Sequence, residues 1–143
     1  MKRSDTATAL FKDGHDCSQS LLAAFDDITG IDRDTSLKLG SAFAGGMGKT
    51  GGTCGAVTGS IMVIGLRSGS ADPKDKNAKE KTSSLVREFM ERFKSLNKST
   101  TCRELIGHDV QLLGSLPPEV RKDVHKQCAK CVRNAVEILE EIL

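Results

Sequence analysis

The sequence predicts an all-α fold, a compact single-domain bundle of about six or seven helices with a glycine-rich loop, and three observations lead there. Apolar residues recur at helical spacing from end to end, with turn residues between the periodic stretches, and no segment alternates apolar and polar over a strand length. Aromatic residues make up only 3% of the chain, with no Trp or Tyr, so the core is built from Leu, Ile, Val, Ala, Met and five Phe. That composition suits close helix packing better than a β-sandwich. At 143 residues the chain fits one domain, 1–143.

The elements follow in order. A first helix over Asp5 to Lys12 stops at Gly14. A second opens at Asp16, where Gln19 completes a capping-box pattern, and carries Cys17, Leu21, Ala24, Phe25 and Ile28 on one face as far as Gly30. A third, Asp34 to Ala44, runs into the glycine-rich stretch Gly45 to Gly52. Thr53 is positioned to cap a fourth helix that is almost wholly apolar around Val57, Ile61 and Ile64, and Gly55 and Gly59, one turn apart, allow another backbone to approach it. After the hydrophilic connection from Ser68 to Lys81, Asp72 as cap and Pro73 at the first position predict a long helix with the core stripe Ala78, Thr82, Leu85, Phe89, Phe93 and Leu96. Thr101 and Glu104 form the capping-box pattern of a short helix holding Cys102 and closed by Gly107. Beyond Pro117-Pro118 a last helix runs on Val120, Val124, Cys128, Cys131, Ala135, Ile138 and Ile142.

Charge and targeting signals exclude several function classes. The 21 basic and 19 acidic residues leave a net +2, too balanced to attract nucleic acid or an anionic membrane by charge. The N-terminal residues lead into no apolar signal segment, and the longest apolar run is far too short to span a bilayer, so no membrane insertion is expected. Five cysteines without an export signal imply a cytoplasmic protein with reduced thiols, in which cysteines serve packing, metal ligation or catalysis.

Three of the cysteines share a setting. Cys17 follows Asp16, Cys54 follows Thr53 and Cys102 follows Thr101, so each is expected in the first turn of a helix, where unpaired N–H groups and the helix dipole favour a thiolate. Asp16 opposes this at Cys17 by like-charge repulsion, which leaves Cys54 as the most acidic of the three. Cys128 and Cys131 form a Cys-x-x-Cys inside a helix with His125 one turn earlier, unlike the thioredoxin arrangement, which follows a strand. Val132 stands where haem attachment requires His, and the other cysteines are too isolated in sequence for a local zinc motif. His15, His108 and His125 lack paired spacing and read as solvated or core residues rather than ligands. Gly46-x-Gly48-x-x-Gly51 follows no apolar strand, and Phe43 occupies the first glycine position of a P-loop, so neither nucleotide motif stands. The glycine stretch reads instead as a wrap that points N–H groups at Cys54.

Four segments, Phe11 to Ser20, Gly51 to Gly59, Thr101 to Gly107 and Cys128 to Val132, together resemble the redox-active family named for its cysteine pattern C_GCAxxG_C_C. The resemblance spans nearly the whole chain. It implies that Cys17, Cys54, Cys102 and Cys128 are the defining four, with Cys131 as an extra or as a substitute for Cys128. A similar cysteine domain in split-Soret-type cytochromes is associated with an iron-sulfur cluster. Two chemistries are therefore expected of the same four residues: dithiol/disulfide electron transfer, with Cys54 attacking and Cys17 or Cys102 resolving, and an iron-sulfur or zinc site ligated by all four. A third reading makes the cysteines packing residues of a structural helical protein. An unidentified redox partner is implied by the first, and a homodimer is compatible with a small helical domain.

Overall fold

The computed structural model describes residues 1–143 and contains eight α-helices, one 3-10 segment and no strand. The helices are α1 (Arg3–Lys12), α2 (Cys17–Ala23), α3 (Asp26–Thr29), α4 (Arg33–Ser41), α5 (Gly55–Ser68), α6 (Lys76–Asn97), α7 (Cys102–Ile106) and α8 (Pro118–Ile142). The 3-10 segment, Val110–Ser115, lies between α7 and α8 and was not foreseen from the sequence. None of the helices is long and apolar enough to cross a membrane.

Helix α5 is central. It packs on α2, α6 and α8, while α2 also meets α4, and α1 lies along α8. Its first half, Gly55 to Ser60, is wholly buried, whereas Leu66 near its end is exposed, so the helix emerges from the core at its C-terminus. The core joins Leu21, Leu22 and Phe25 to Val57, Val63 and Ile64, Phe89 and Phe93, and Val132, Val136 and Leu139.

Glycine makes the α2–α5 joint. A Cβ on Gly55 would lie 2.8 Å from the Ser18 nitrogen and 3.2 Å from Cys17 Cβ, and one on Gly59 would lie 3.1 Å from the Ser18 carbonyl oxygen. The two backbones therefore touch as the spacing of these glycines predicts, and the start of α5 is pressed against the start of α2.

Several expected boundaries move. The helix expected from Asp16 to Gly30 is two: α2 ends at Ala23, Phe25 turns inward to a fully buried position, and α3 restarts at Asp26. Arg3 holds this break from outside, donating to the Ala24 carbonyl at 2.6 Å and pairing with Asp27. The third helix ends at Ser41 rather than Ala44. Thr53 does not cap α5. It forms an isolated antiparallel bridge with Thr101, and Cys54 itself is the cap residue. Helix α6 starts at Lys76, capped by Asp75 accepting from the Ala78 N–H at 3.0 Å. Asp72 instead closes a turn on the Lys74 N–H. On α6 Phe89 and Phe93 are fully buried as expected, but Leu96 is 54% exposed and Asn97 takes the inward place. The Thr101 side chain makes no cap hydrogen bond at α7, because that residue is drawn into the bridge with Thr53.

Candidate functional site

Four elements bring the five cysteines to one cavity. Cys17 is the first residue of α2, behind Asp16, whose N–H donates to Gln19 Oε1 at 2.9 Å. Cys54 caps α5 and Cys102 is the first residue of α7. The chain around the Thr53–Thr101 bridge clips these two together: the Cys54 N–H donates to the Thr100 carbonyl at 2.8 Å and the Cys102 N–H to the Gly52 carbonyl at 2.7 Å. Cys128 and Cys131 come from one face of α8. All five line a cavity of about 270 Å³ walled largely by apolar side chains from α1, α7, α8 and the 3-10 segment.

The sulfurs associate in pairs. Cys17 neighbours Cys128 and Cys54 neighbours Cys131, each close enough to act on the other's ionisation, while the Cys131 thiol donates to Asn97 Oδ1 at 3.9 Å. Cys102 stands apart at the same cavity, with Cys54 and Cys128 as its neighbouring thiols. No disulfide is formed. Cys54 and Cys131 are buried, 6% and 1% exposed, and the other three are half-buried.

The electrostatics differ from one thiol to the next. The Cys54 thiol is held below its ordinary value, first by the neighbouring Cys131 thiol and then by the backbone N–H groups of Ala56 and Val57, against the opposing effect of burial. Its neighbour Cys131 is pushed far up. Cys128 is lowered by the neighbouring Cys17 thiol, and Cys17 is raised by Cys128 and by burial. Burial, followed by the neighbouring Cys54 and Cys128, pushes Cys102 up to about 11. Of the three helix-start cysteines Cys54 is thus the one whose thiol is lowered, by Cys131 first and only then by the helix-start N–H groups that its sequence position predicts. The expected lowering fails at Cys17, where Cys128 and then burial raise the thiol, and at Cys102, where burial comes first. At Cys17 the opposing influence is Cys128 rather than Asp16.

The glycine-rich stretch does not aim its amides at Cys54 as a wrap would. It folds on itself, with the N–H groups of Met47, Gly48, Lys49, Gly51 and Gly52 donating to carbonyls between Ala42 and Gly46. Its contribution is steric. Gly46, at φ 72°, lies so close that a Cβ there would fall 2.8 Å from Cys102 Cβ.

Two side chains absent from the sequence reading complete the site. Asn97 is buried and its Oδ1 lies 3.9 Å from Cys131 Sγ, while its Nδ2 donates to the Phe93 carbonyl. Phe11 stacks on His125 at 4.5 Å between ring centroids, and both line the cavity. The only signal for Asn97 was a polar residue at the end of an apolar stripe, and for Phe11 its place at the head of the first family-like segment, to which no role was attached. His15 and His108 lie outside the cavity lining.

Residues 15–142 match the family described as "Putative redox-active protein (C_GCAxxG_C_C)". The chain belongs to that family. In this member the central motif reads Cys54-Gly55-Ala56-Val57-Thr58-Gly59, with cysteine and the first glycine in exchanged order relative to the family's label. That order puts glycine at the contact with Cys17. No curated protein and no solved structure matches the chain.

The family label leaves open whether the thiols work as dithiols or as ligands, and the donor set bears on this. No three His, Cys, Asp or Glu side chains are arranged to hold a metal ion. Five thiols at one cavity have the donor chemistry that zinc or an iron-sulfur cluster takes, since binding displaces thiol protons, but their spacing does not gather three around one ion.

Proposed function

We propose that this protein is a cytoplasmic dithiol/disulfide electron-transfer protein in which Cys54 is the attacking thiolate and Cys131 the resolving thiol. The observation that carries the reading is the juxtaposition of Cys54 and Cys131, both buried and both lining one cavity, where the ionisation of the first is eased and that of the second opposed. An acidic thiol beside a protonated one is the arrangement thiol–disulfide exchange uses.

The residues act in two steps. Cys54 thiolate attacks one sulfur of a substrate disulfide; its S–S bond breaks, a mixed disulfide forms on Cys54, and the leaving thiolate takes the proton of Cys131. Cys131, now a thiolate, attacks the Cys54 sulfur, forming the Cys54–Cys131 disulfide and expelling the second substrate thiolate. Two electrons pass from the protein dithiol to the substrate, and a cellular dithiol reductant restores the pair by the reverse exchange. This assignment replaces Cys17 and Cys102 as resolving residues, because Cys131 is the thiol whose proximity acts most strongly on Cys54. Cys17 and Cys128 form a second dithiol beside the first, and Cys102 is left without a thiol partner of its own.

Thiol titration of anaerobically prepared protein tests the reading. Addition of a disulfide reagent is expected to remove Cys54 and Cys131 together and reversibly, and Cys131→Ser is expected to trap the reagent on Cys54 as a stable mixed disulfide. Stoichiometric bound iron or zinc that blocks these thiols, or reagent trapping on a residue other than Cys54, would overturn it.

A further inference from the structure

The shape and chemistry of the cavity restrict what can reach Cys54. Both thiols of the reactive pair are buried, and both line the cavity. A protein disulfide, fixed to a folded backbone, would have to enter a space of about 270 Å³, below the roughly 300–1,000 Å³ of pockets that enclose drug-sized ligands. The walls are hydrocarbon: Leu105 and Ile106 of α7, Val110 and Leu113 of the 3-10 segment, and Val124 of α8. A highly charged molecule entering there would lose water at several groups and find at most one partner of each sign, Asp16 and Arg121, a balance that weighs against it.

We infer that the substrate class is a small, uncharged, apolar disulfide that enters the cavity and is reduced there, rather than a protein disulfide or a highly charged one such as oxidised glutathione. The inference rests on the dithiol reading above. The chemistry is the exchange already written, with the substrate disulfide as oxidant, the Cys54–Cys131 dithiol as reductant and two molecules of small apolar thiol as product. The 3-10 segment, which the sequence did not announce, supplies selectivity through Val110 and Leu113, which line the cavity.

Stopped-flow reaction of the reduced full chain with dithiodipyridine, oxidised glutathione and insulin tests this, each rate being divided by the rate with the same chain unfolded in urea. The folded-to-unfolded ratio for dithiodipyridine is expected to exceed that for oxidised glutathione by about 100-fold or more. Val110→Trp and Leu113→Trp, each filling the cavity, are expected to lower the dithiodipyridine rate by about 10-fold or more, and the second variant serves if the first does not fold. Equal ratios for the reagents, a faster normalised reaction with insulin, or indifference to the Trp substitutions would overturn the inference. Failure of the dithiol reading would look different: Cys54→Ser would then leave the dithiodipyridine rate unchanged, whereas fast reaction of insulin through Cys54 would sink the substrate class alone.

Discussion

At Cys54 three neighbours favour the charged sulfur: the Cys131 thiol and the N–H groups of Ala56 and Val57. Groups that favour the charged form lower a pKa, so the thiolate persists at a lower pH than in an ordinary thiol, for which half-ionisation falls at about 8.5. The pH profile of Cys54 alkylation is accordingly expected to have its midpoint below that of a free thiol, and Cys131→Ala, which removes the first of these neighbours while leaving the burial, is expected to move it upward. Mass-spectrometric alkylation rates over a pH series check both. Cys102 provides the internal contrast. Its thiol is pushed up to about 11, so at neutral pH it is expected to alkylate more slowly than Cys54 although it is the more exposed. The lowering at Cys54 was legible only in part: the Ala56 and Val57 N–H groups of a helix start are local, but the first cause, Cys131, lies on a distant helix. The fates of Cys17 and Cys102 were not, because burial and a thiol more than a hundred residues away at Cys128 decide the first, and burial the second.

The elements are held in register by contacts that tolerate little added volume. Gly55 and Gly59 let α5 lie on α2, and this contact places the cap of one helix beside the first residue of the other. Gly59→Val is expected to force the two backbones apart and to cost about 1–3 kcal/mol in urea denaturation, the range for overpacked interiors. The same variant is expected to alter Cys54 alkylation, since the Cys54 position depends on that contact. The glycine pair and its meaning could be read from spacing alone. The breaks could not: Phe25 interrupts a continuous helical pattern because its ring is fully buried, and the Thr53–Thr101 bridge withdraws two expected caps because it joins segments nearly fifty residues apart. Asp75 in place of Asp72 is a milder case, two acidic residues each able to cap and only one followed by an unbroken helix.

Across the whole molecule, α5 and α8 meet between the cavity and the main core. Phe89 and Phe93 stack at 5.9 Å in that core, and Val132, Val136 and Leu139 of α8 belong to the same cluster, with Cys131 at its edge near Asn97. Phe89→Ala is expected to destabilise the fold by about 3–5 kcal/mol, readable as a lowered denaturation midpoint with unchanged slope. The all-helical class was legible because periodicity and composition are properties of the whole chain. Which thiols meet was not, since Cys128 and Cys131 share a helix face and only the packing of α8 against α2 and α5 sends one to Cys17 and the other to Cys54. Peptide mapping of the mildly oxidised native chain therefore tests the account most directly. It predicts a crosslink between the peptides carrying Cys54 and Cys131, accompanied on further oxidation by one between Cys17 and Cys128, with Cys102 free. Crosslinks joining Cys54 to Cys17 or Cys102, or five thiols that remain unlinked under oxidant, would contradict it.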